Sequence, residues 1–487
     1  MRFNRIFGLL LTLTVSGCGG GQPAAPAGGQ APKPDAPPPQ APSPQASSAQ
    51  ASSPPRAKAV HPFPDFGFLP PPAGPGKYTG PVFKLSQDYP KTKPGAQPPF
   101  MKTDFKADWQ GYMSQVRDYC FEGNTDHPDL EDDFRAENNT VRRWYHMPFQ
   151  HWGPSGREGV HGMTKEAEVK PQALAVSQTF DGQTYALGLY NDLAGYTIGQ
   201  VWNADDPAAA FAGTSFPEGA TVCKVLFVDV PPAQVPSLAN PLQWNAYITT
   251  SYQTQTRHLA PVSLIQMDIM VRDSRSPTEW VMGTFQYNGQ LKNAKLWNNL
   301  VPVGLMWGND PTITDNAYTN PLPAKTRINP ALKETVINAT ADLPPTHLGW
   351  NGRLNGPVDN PVSSCISCHM TAEYPEVSPL NPSFDPSLNS KPGDAVWMRW
   401  FTNLKGGTPF DATDPVDPAR KPGSTDFSLQ LAMTLQYFAD WQLQDGEFAE
   451  DYAAKPVSFG TGQAPTHFVK RHAKPIVRDV PAPPAKP

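Results

Sequence analysis

The 487-residue sequence is poor in charge and in cysteine, and it has only one sustained apolar run. Charged side chains make up 17% of it, the net charge is −5, and no basic cluster is present, which argues against nucleic acid as a partner. The apolar run, residues 6–15, is too short to span a bilayer, so we expect the mature chain not to cross a membrane. With only five cysteines, each one can be interpreted separately.

The apolar run is typical of a secretory signal peptide. Residues 1–5 form a short basic start, and the run ends in the letters VSGC at residues 15–18, which resemble a bacterial lipobox. The resemblance implies cleavage before Cys18 and lipidation of its thiol, and an ordinary signal peptide with a chance cysteine is the alternative. We therefore expect a lipid-anchored protein that faces the periplasm. By analogy with enterobacterial sorting, Gly19 favours the outer membrane over the inner one.

Residues 365–369 read CISCH, a single C-x-x-C-H with the spacing of covalent c-type haem attachment. Cys365 and Cys368 would reach the two vinyl groups of one porphyrin, and His369 would present an imidazole to its iron. C-x-x-C is also half of a zinc site and a thiol redox motif. A zinc site needs further Cys or His ligands, and a thioredoxin-like motif needs a βαβ context that the sequence does not show. The motif therefore predicts one covalently bound haem c.

Two further cysteines, Cys120 and Cys223, have no C-x-x-C partner. In an oxidising compartment they could form one disulfide. Because about a hundred residues separate them and nothing in the sequence aligns them, we favour two buried, unpaired cysteines that pack as small apolar residues.

The segment around residues 142–162 is dense in Gly, His, Arg and Trp and is too polar for a plain core segment. We interpret it as a loop shaped for a site or for contact with haem propionates, with His146, Arg157, Glu158 and His161 as candidate residues. A carboxylate or an imidazole near the iron could take protons from a nitrogenous substrate. The alternative is a buried loop whose polar side chains satisfy one another.

The middle of the chain alternates in the manner of antiparallel strands. The predicted strands cover residues 184–190, 196–202, 220–230, 245–252, 262–271 and 280–287. Helical spacing predicts helices over residues 102–120, 206–211, 394–404 and 426–443. Residues 19–59, rich in Pro, Ala, Gly, Gln and Ser, cannot bury a core and predict an extended tether.

Several of these segments resemble cytochrome P460, a family that includes the β-sheet type of cytochrome c′. They are residues 201–210, 216–224 and 269–274 with Trp280 and Phe285, and in the family they precede the C-x-x-C-H in this order. The resemblance covers about a quarter of the chain. It is interrupted by an insert of about eighty residues before the motif, far more than the family needs. The whole chain also looks like a group of bacterial haem c lipoproteins that have no assigned activity.

The resemblance implies an antiparallel sheet with helices around one haem c. Its iron would have His on one side and an open or water-bound position on the other. P460 enzymes oxidise hydroxylamine, whereas the related cytochromes c′ bind nitric oxide. Enzyme members also carry a covalent bond from a Lys to the porphyrin edge, and Lys224 stands where the motif places that Lys. Alternatively, Lys224 is a strand-end lysine whose stem covers apolar surface.

We therefore predict an α+β fold, with an antiparallel β-rich, P460-like haem domain, helices around the sheet, and extensions at both ends. The predicted boundaries are a lipoprotein signal peptide at 1–18, a disordered tether at 19–80, an N-terminal extension at 81–180, a haem domain with a long insert at 181–375, and a C-terminal helical and Pro-rich region at 376–487.

For the function, we expect a mono-haem c-type cytochrome that exchanges electrons with a redox partner protein. Electron transfer needs a sixth iron ligand, and the candidates are Met398, Met433 and the histidines His146, His151 and His161. Both methionines are alternatively core residues. The second hypothesis is P460-like hydroxylamine oxidation or nitric oxide binding at a five-coordinate haem, with a small nitrogen or oxygen species as partner. The third is a haem module that passes electrons into an envelope complex.

Overall fold

The computed structural model describes residues 85–125, 134–149, 157–249, 257–315, 326–382, 390–413 and 421–443, with a few isolated positions beside these ranges. The predicted signal peptide with Cys18, nearly all of the predicted tether, His151 and residues 444–487 lie outside them. Among the described residues, no helix is both long enough and apolar enough to cross a membrane.

An eight-stranded antiparallel sheet is the main element of the described chain, which makes the fold α+β with few helices. Its strands are β1 (Thr164–Val169), β2 (Gly182–Tyr190), β3 (Thr221–Val228), β4 (Gln243–Thr249), β5 (Arg257–Arg272), β6 (Trp280–Tyr287), β7 (Leu300–Met306) and β8 (Thr335–Ile337). Their order is β1-β2-β3-β5-β6-β7-β8, and β4 also pairs with β5. β9 (Glu373–Tyr374) and β10 (Gly423–Ser424) form a separate two-stranded ladder.

Six α-helices surround the sheet in the described ranges. They are α1 (Trp109–Phe121), α2 (Asp192–Trp202), α3 (Pro207–Ala210), α4 (Cys365–His369), α5 (Ala395–Met398) and α6 (Leu429–Leu443). Short 3₁₀ turns lie at Pro99–Lys102, Pro232–Gln234, Pro236–Leu238, Gly289–Leu291, Leu296–Asn299, Trp350–Gly352 and Arg399–Phe401.

The two faces of the sheet have different coverings. One core cluster joins α1 and the chain before it to sheet residues such as Cys223, Val225 and Ile269. A second cluster joins α2, α4 and α6 to sheet residues that include Trp280 and Met282. Because side chains alternate along a strand, Val222 and Lys224 of β3 lie on the face opposite to Cys223. The cavity described below lies on that second face.

A disulfide joins Cys120 at the end of α1 to Cys223 in β3. The expectation of two unpaired cysteines was therefore wrong. α1 lies on the first face of the sheet and places Cys120 directly against β3, and a separation of 103 residues along the chain carries no information about that contact.

Most predicted strands are present with shifted ends, but one predicted strand is a helix. Residues 196–202 belong to α2, which begins after Asn191, whose side chain accepts a hydrogen bond from Ala194 N. The buried residues Leu193, Ala194, Thr197 and Ile198 recur with helical spacing. The aromatic and β-branched residues of this segment suggested a strand. The segment is a helix instead, because it has an N-cap and buries one face.

The sheet also extends beyond the predicted strands. β1 comes from the region predicted to be an N-terminal extension, and β7 and β8 come from the insert before α4. The predicted helices at 102–120, 394–404 and 426–443 are shorter in the structure, because α1, α5 and α6 begin later than expected and α5 continues only as a 3₁₀ turn.

Candidate functional site

A cavity lies between the second face of the sheet, α6 and the segment that leads into α4. Its empty volume is about 1380 Å³, which includes open solvent at its mouth. Its apolar lining includes Phe216, Val222, Met270, Trp280 and Met282. Its polar lining includes Glu166, Tyr190, Lys224, Asp268, Asp359, Gln430 and the C-x-x-C-H residues Cys365, Cys368 and His369.

The short helix α4 is held at the cavity wall by its N-cap. The Ser364 side chain accepts from Ser367 N, and the Ser367 side chain accepts from Ser364 N, which is a capping box. The Ser364 hydroxyl also donates to the Asn309 side chain at 2.8 Å. Asn309 in turn donates to the Thr402 carbonyl at 2.9 Å. The insert before α4 therefore orients the C-x-x-C-H helix.

Both cysteines of the motif line the cavity, and neither is in a disulfide. Cys365 Sγ lies 3.9 Å from Thr284 Oγ1 and 3.9 Å from Asn355 Oδ1. Burial raises the pKa of the Cys365 thiol well above its usual range, and the neighbouring Asp268 and Asp359 raise it further. The thiol is therefore neutral at physiological pH.

His369 is oriented by a backbone carbonyl. Its Nδ1 lies 2.8 Å from the carbonyl oxygen of Phe427. Since a carbonyl can only accept, Nδ1 carries the hydrogen, and Nε2 is the nitrogen with a lone pair for a metal. This carbonyl comes from a turn in which Asp426 and Phe427 both have positive φ angles, 50° and 66°.

Lys224 reaches the cavity from β3. Its Nζ lies 3.3 Å from Glu166 Oε2 in β1. In the strand register Lys224 faces Asp268 of β5. The cavity thus contains one described lysine beside several carboxylates, and Lys224 lies in the same space as the cysteines of the motif.

Asp268 and Asp359 are bridged by one side-chain amide. Gln266 Nε2 lies 2.8 Å and 3.0 Å from the two carboxylate oxygens of Asp268, and 3.0 Å from Asp359 Oδ2. Thr284 Oγ1 donates to Asp268 at 2.8 Å. Burial first, and the charge of Asp359 second, raise the pKa of Asp268 to about 7, although Lys224 and the hydrogen bonds act in the opposite direction.

The two candidate methionines have different positions. Met433 of α6 lines the cavity. Met398 packs instead against the aromatic cluster of Trp350, Trp397, Trp400 and Phe401, and it is absent from the described lining. Of these two candidates, Met433 is the one in the described lining that His369 shares.

The four candidates of the polar loop do not line the described cavity. Arg157 donates to the carbonyls of Gly162 and Met147, at 2.6 and 3.0 Å, and lies 3.3 Å from the ring nitrogens of His146. The Glu158 carboxylate accepts from the backbone N–H groups of Val160, His161 and Tyr247. The His161 ring stacks on Trp244 with the centroids 4.5 Å apart.

In the structure these residues form a buried network outside the described lining of the cavity, as in the alternative interpretation of the loop. Burial, with Arg157 second, lowers the pKa of His146 well below its usual value. The pKa of Glu158 is also lowered, because its hydrogen bonds and His161 outweigh the opposing effect of burial.

Sequence reasoning missed Glu166, Gln266, Asp268 and Asp359. A signal was present for two of them, since Gln266 and Asp268 stand two apart in the otherwise apolar stretch 264–271 and so share one face. Among the described residues, no group of three or more His, Cys, Asp or Glu side chains is arranged to hold a metal ion.

The fold and site define an α+β protein with a large antiparallel sheet and a cavity at a C-x-x-C-H helix. No protein-family model matches the chain, and no curated protein or solved structure matches it.

Proposed function

We propose that the chain is a mono-haem c-type cytochrome, with haem bound to Cys365 and Cys368 and with His369 as the proximal ligand. One observation carries the proposal: the three residues of the motif line one cavity, and a carbonyl holds Nδ1 of His369 so that Nε2 keeps the lone pair that a metal would need. In this proposal each thiol adds across a vinyl C=C bond, with sulfur on one carbon and hydrogen on the other, and two thioethers result.

The lining of the cavity fits such a group in chemistry. It combines Met, Trp, Phe and Val side chains with polar groups near the motif. Haem supplies a one-electron iron couple when bound. The chain supplies the orientation of His369, the apolar walls and the acidic groups beside Cys365.

Electron transfer to a redox partner is the activity we propose first. The position of Met433 supports it. Met433 is the candidate methionine that shares the cavity with His369, and a thioether as sixth ligand suits electron transfer because little rearrangement follows a change of iron charge. We further propose that Cys18 carries lipid and that the protein faces the periplasm, with the outer membrane favoured.

A second candidate function is P460-like oxidation of hydroxylamine, or nitric oxide binding, at a five-coordinate haem. It is favoured by Lys224, which lines the same cavity as the motif and stands where the resemblance places the porphyrin-bound lysine. The carboxylates of Asp268 and Asp359 in this cavity are groups that could take protons from a nitrogenous substrate.

The absorption spectrum of the reduced, haem-loaded protein with and without carbon monoxide separates the two candidates. If Met433 is the sixth ligand, we expect a sharp α band that carbon monoxide does not change, and Met433→Ala should make the spectrum respond. Met398→Ala is the matched control and should leave the spectrum as it is. A wild-type spectrum that responds to carbon monoxide favours the open iron, and a strong red shift further implicates Lys224.

The proximal assignment has its own test. His369→Ala should abolish normal axial ligation while the thioether bonds persist. An unchanged spectrum would show that another residue binds the iron, and a chain that carries no covalent haem in an export-competent, haem-attaching host would overturn the proposed function itself.

A further inference from the structure

We propose that the cavity couples electron uptake to proton uptake, with the Asp268–Asp359 carboxyl pair as the proton acceptor. This inference rests on the proposed function, because it needs haem attached at Cys365. It adds a function that the C-x-x-C-H motif does not imply: one proton from water binds the pair for each electron that a redox partner protein delivers.

The carboxyl pair lies close to the sulfur of Cys365. Thr284 Oγ1 donates to Asp268 at 2.8 Å, and the same oxygen lies 3.9 Å from Cys365 Sγ. Asp268 is therefore separated from the attachment sulfur by one hydroxyl group. Both carboxylates line the cavity that receives the cofactor, so a charge added to the cofactor lies close to them.

The two carboxylates of the pair are held close together. One amide, that of Gln266, donates to both carboxylates, with distances of 2.8 Å and 3.0 Å to their nearest oxygens. Gly356 permits this arrangement, because a Cβ at that position would lie 2.1 Å from the Gln266 side chain. Burial, together with the like charge of Asp359 held this close, raises the pKa of Asp268 into the physiological range.

Other charged or titratable groups line the cavity around Asp268 from β1, β3, α4 and the segment before α4. β3 contributes Lys224, which lowers the pKa of Asp268, and β1 contributes Glu166, paired with Lys224. The segment before α4 contributes Asp359, α4 contributes Cys365, Cys368 and His369, and α6 contributes the neutral Gln430 and Met433. Once the cysteines are thioethers they do not titrate. The carboxyl pair is therefore the group best placed to bind a proton when the cofactor is reduced.

The sign of the effect follows from charge. An added electron makes the cofactor more negative, which disfavours a nearby carboxylate and raises its pKa. One electron from the partner is thus balanced by one proton that forms an O–H bond on the pair. The reduction potential should fall as the pH rises through the window between the pKa of the oxidised state and that of the reduced state.

The experiment is a potentiometric titration of the haem-loaded protein from pH 5 to pH 9. A tenfold change in proton activity corresponds to about 59 mV for one electron and one proton, so the slope should approach that value near pH 7 and flatten on either side. Asp268→Asn should remove the slope in this window. Asp359→Asn should move the window to lower pH, because the like charge that raises the pKa of Asp268 is gone.

Asp229→Asn is the matched control. Burial also raises the pKa of Asp229, to about 6, but Asp229 does not belong to the described lining of the cavity, and its replacement should leave the potential curve unchanged. A wild-type potential that does not vary between pH 5 and 9, or a slope that survives in Asp268→Asn, would overturn the coupling while the haem remains attached. Absence of covalent haem would instead overturn the proposed function.

Discussion

Two polar clusters of this protein are similar in composition and different in what they do. The loop cluster consists of His146, Arg157, Glu158 and His161. The cavity cluster consists of Glu166, Lys224, Asp268 and Asp359. Both are rich in ionisable side chains, but the loop cluster is hydrogen-bonded largely to backbone groups, whereas the cavity cluster is paired mainly among side chains and lines the cavity.

The comparison shows that the density of polar residues in a sequence does not locate a site. The loop cluster is conspicuous because its residues are adjacent in the chain, and its side chains serve to satisfy buried backbone groups. The cavity cluster is scattered over β1, β3, β5 and the segment before α4. Ionisable groups that converge on a cavity from several elements are the better indicator of chemistry.

The largest expected difference between the clusters concerns haem attachment. The double substitution Cys365→Ala and Cys368→Ala should abolish covalent haem completely, because no thioether can form. His161→Gln in the loop cluster should leave attachment intact. Haem staining after denaturing electrophoresis measures both, and staining of the double variant would contradict the site.

The second prediction compares two glutamates by stability. Glu158→Gln should lower the free energy of unfolding by about 3 kcal/mol, because it removes a buried charge that accepts from three backbone N–H groups. Glu166→Gln should cost less than about 1 kcal/mol, since its ion pair with Lys224 is partly exposed. Chemical denaturation of both variants measures the difference, and equal losses would remove the distinction between the clusters.

The third prediction concerns pH, where the two clusters have opposite signs. The pKa of His146 is lowered in the folded state, so the unfolded chain binds more protons and stability falls as the pH drops below about 6.5, the ordinary pKa of His. The pKa of Asp268 is raised from 3.8 to about 7. The folded state then binds more protons, and stability falls as the pH rises from about 4 to 7.

Single variants test which residue causes each part of the pH dependence of stability. His146→Gln should reduce the loss of stability in acid, and Asp268→Asn should reduce the loss that accompanies a rise in pH towards 7. Unfolding free energies of the haem-free protein between pH 4 and 8 provide the measurement. If His146→Gln reduced the loss of stability towards pH 7, or Asp268→Asn reduced the loss in acid, the assigned pKa shifts would be wrong in sign.

The smallest expected effect is that of Lys224→Gln. Stability should change by a few tenths of a kcal/mol, but the pKa of Asp268 should rise, because the lysine charge that lowers it is gone. The pH window of the reduction potential would then move upward, opposite to its movement in Asp359→Asn. An unchanged window would show that Lys224 lies too far from Asp268 to act on it, and a downward movement would contradict the sign of its effect.

Much of the sheet could be predicted because its strands carry a local signal. β6 begins and ends where the alternation predicted it, and β2, β3, β4 and β5 were displaced only at their ends. α2 was missed because its aromatic and β-branched residues also suit a strand, and its N-cap at Asn191 decides for the helix. β1, β7 and β8 were missed because their partners in the sheet, not their own residues, make them strands.

The sequence by itself determined the C-x-x-C-H motif and its proposed chemistry, since two thiols and an imidazole need only five adjacent residues. It also determined the apolar run and lipobox-like end that suggest export. The tertiary structure alone decided that Phe427 supplies the carbonyl for His369, that Met433 rather than Met398 shares the cavity, that Cys120 pairs with Cys223, and that Asp268 meets Asp359. Each of these is a contact between distant segments, and such contacts depend on how elements pack rather than on local sequence preference.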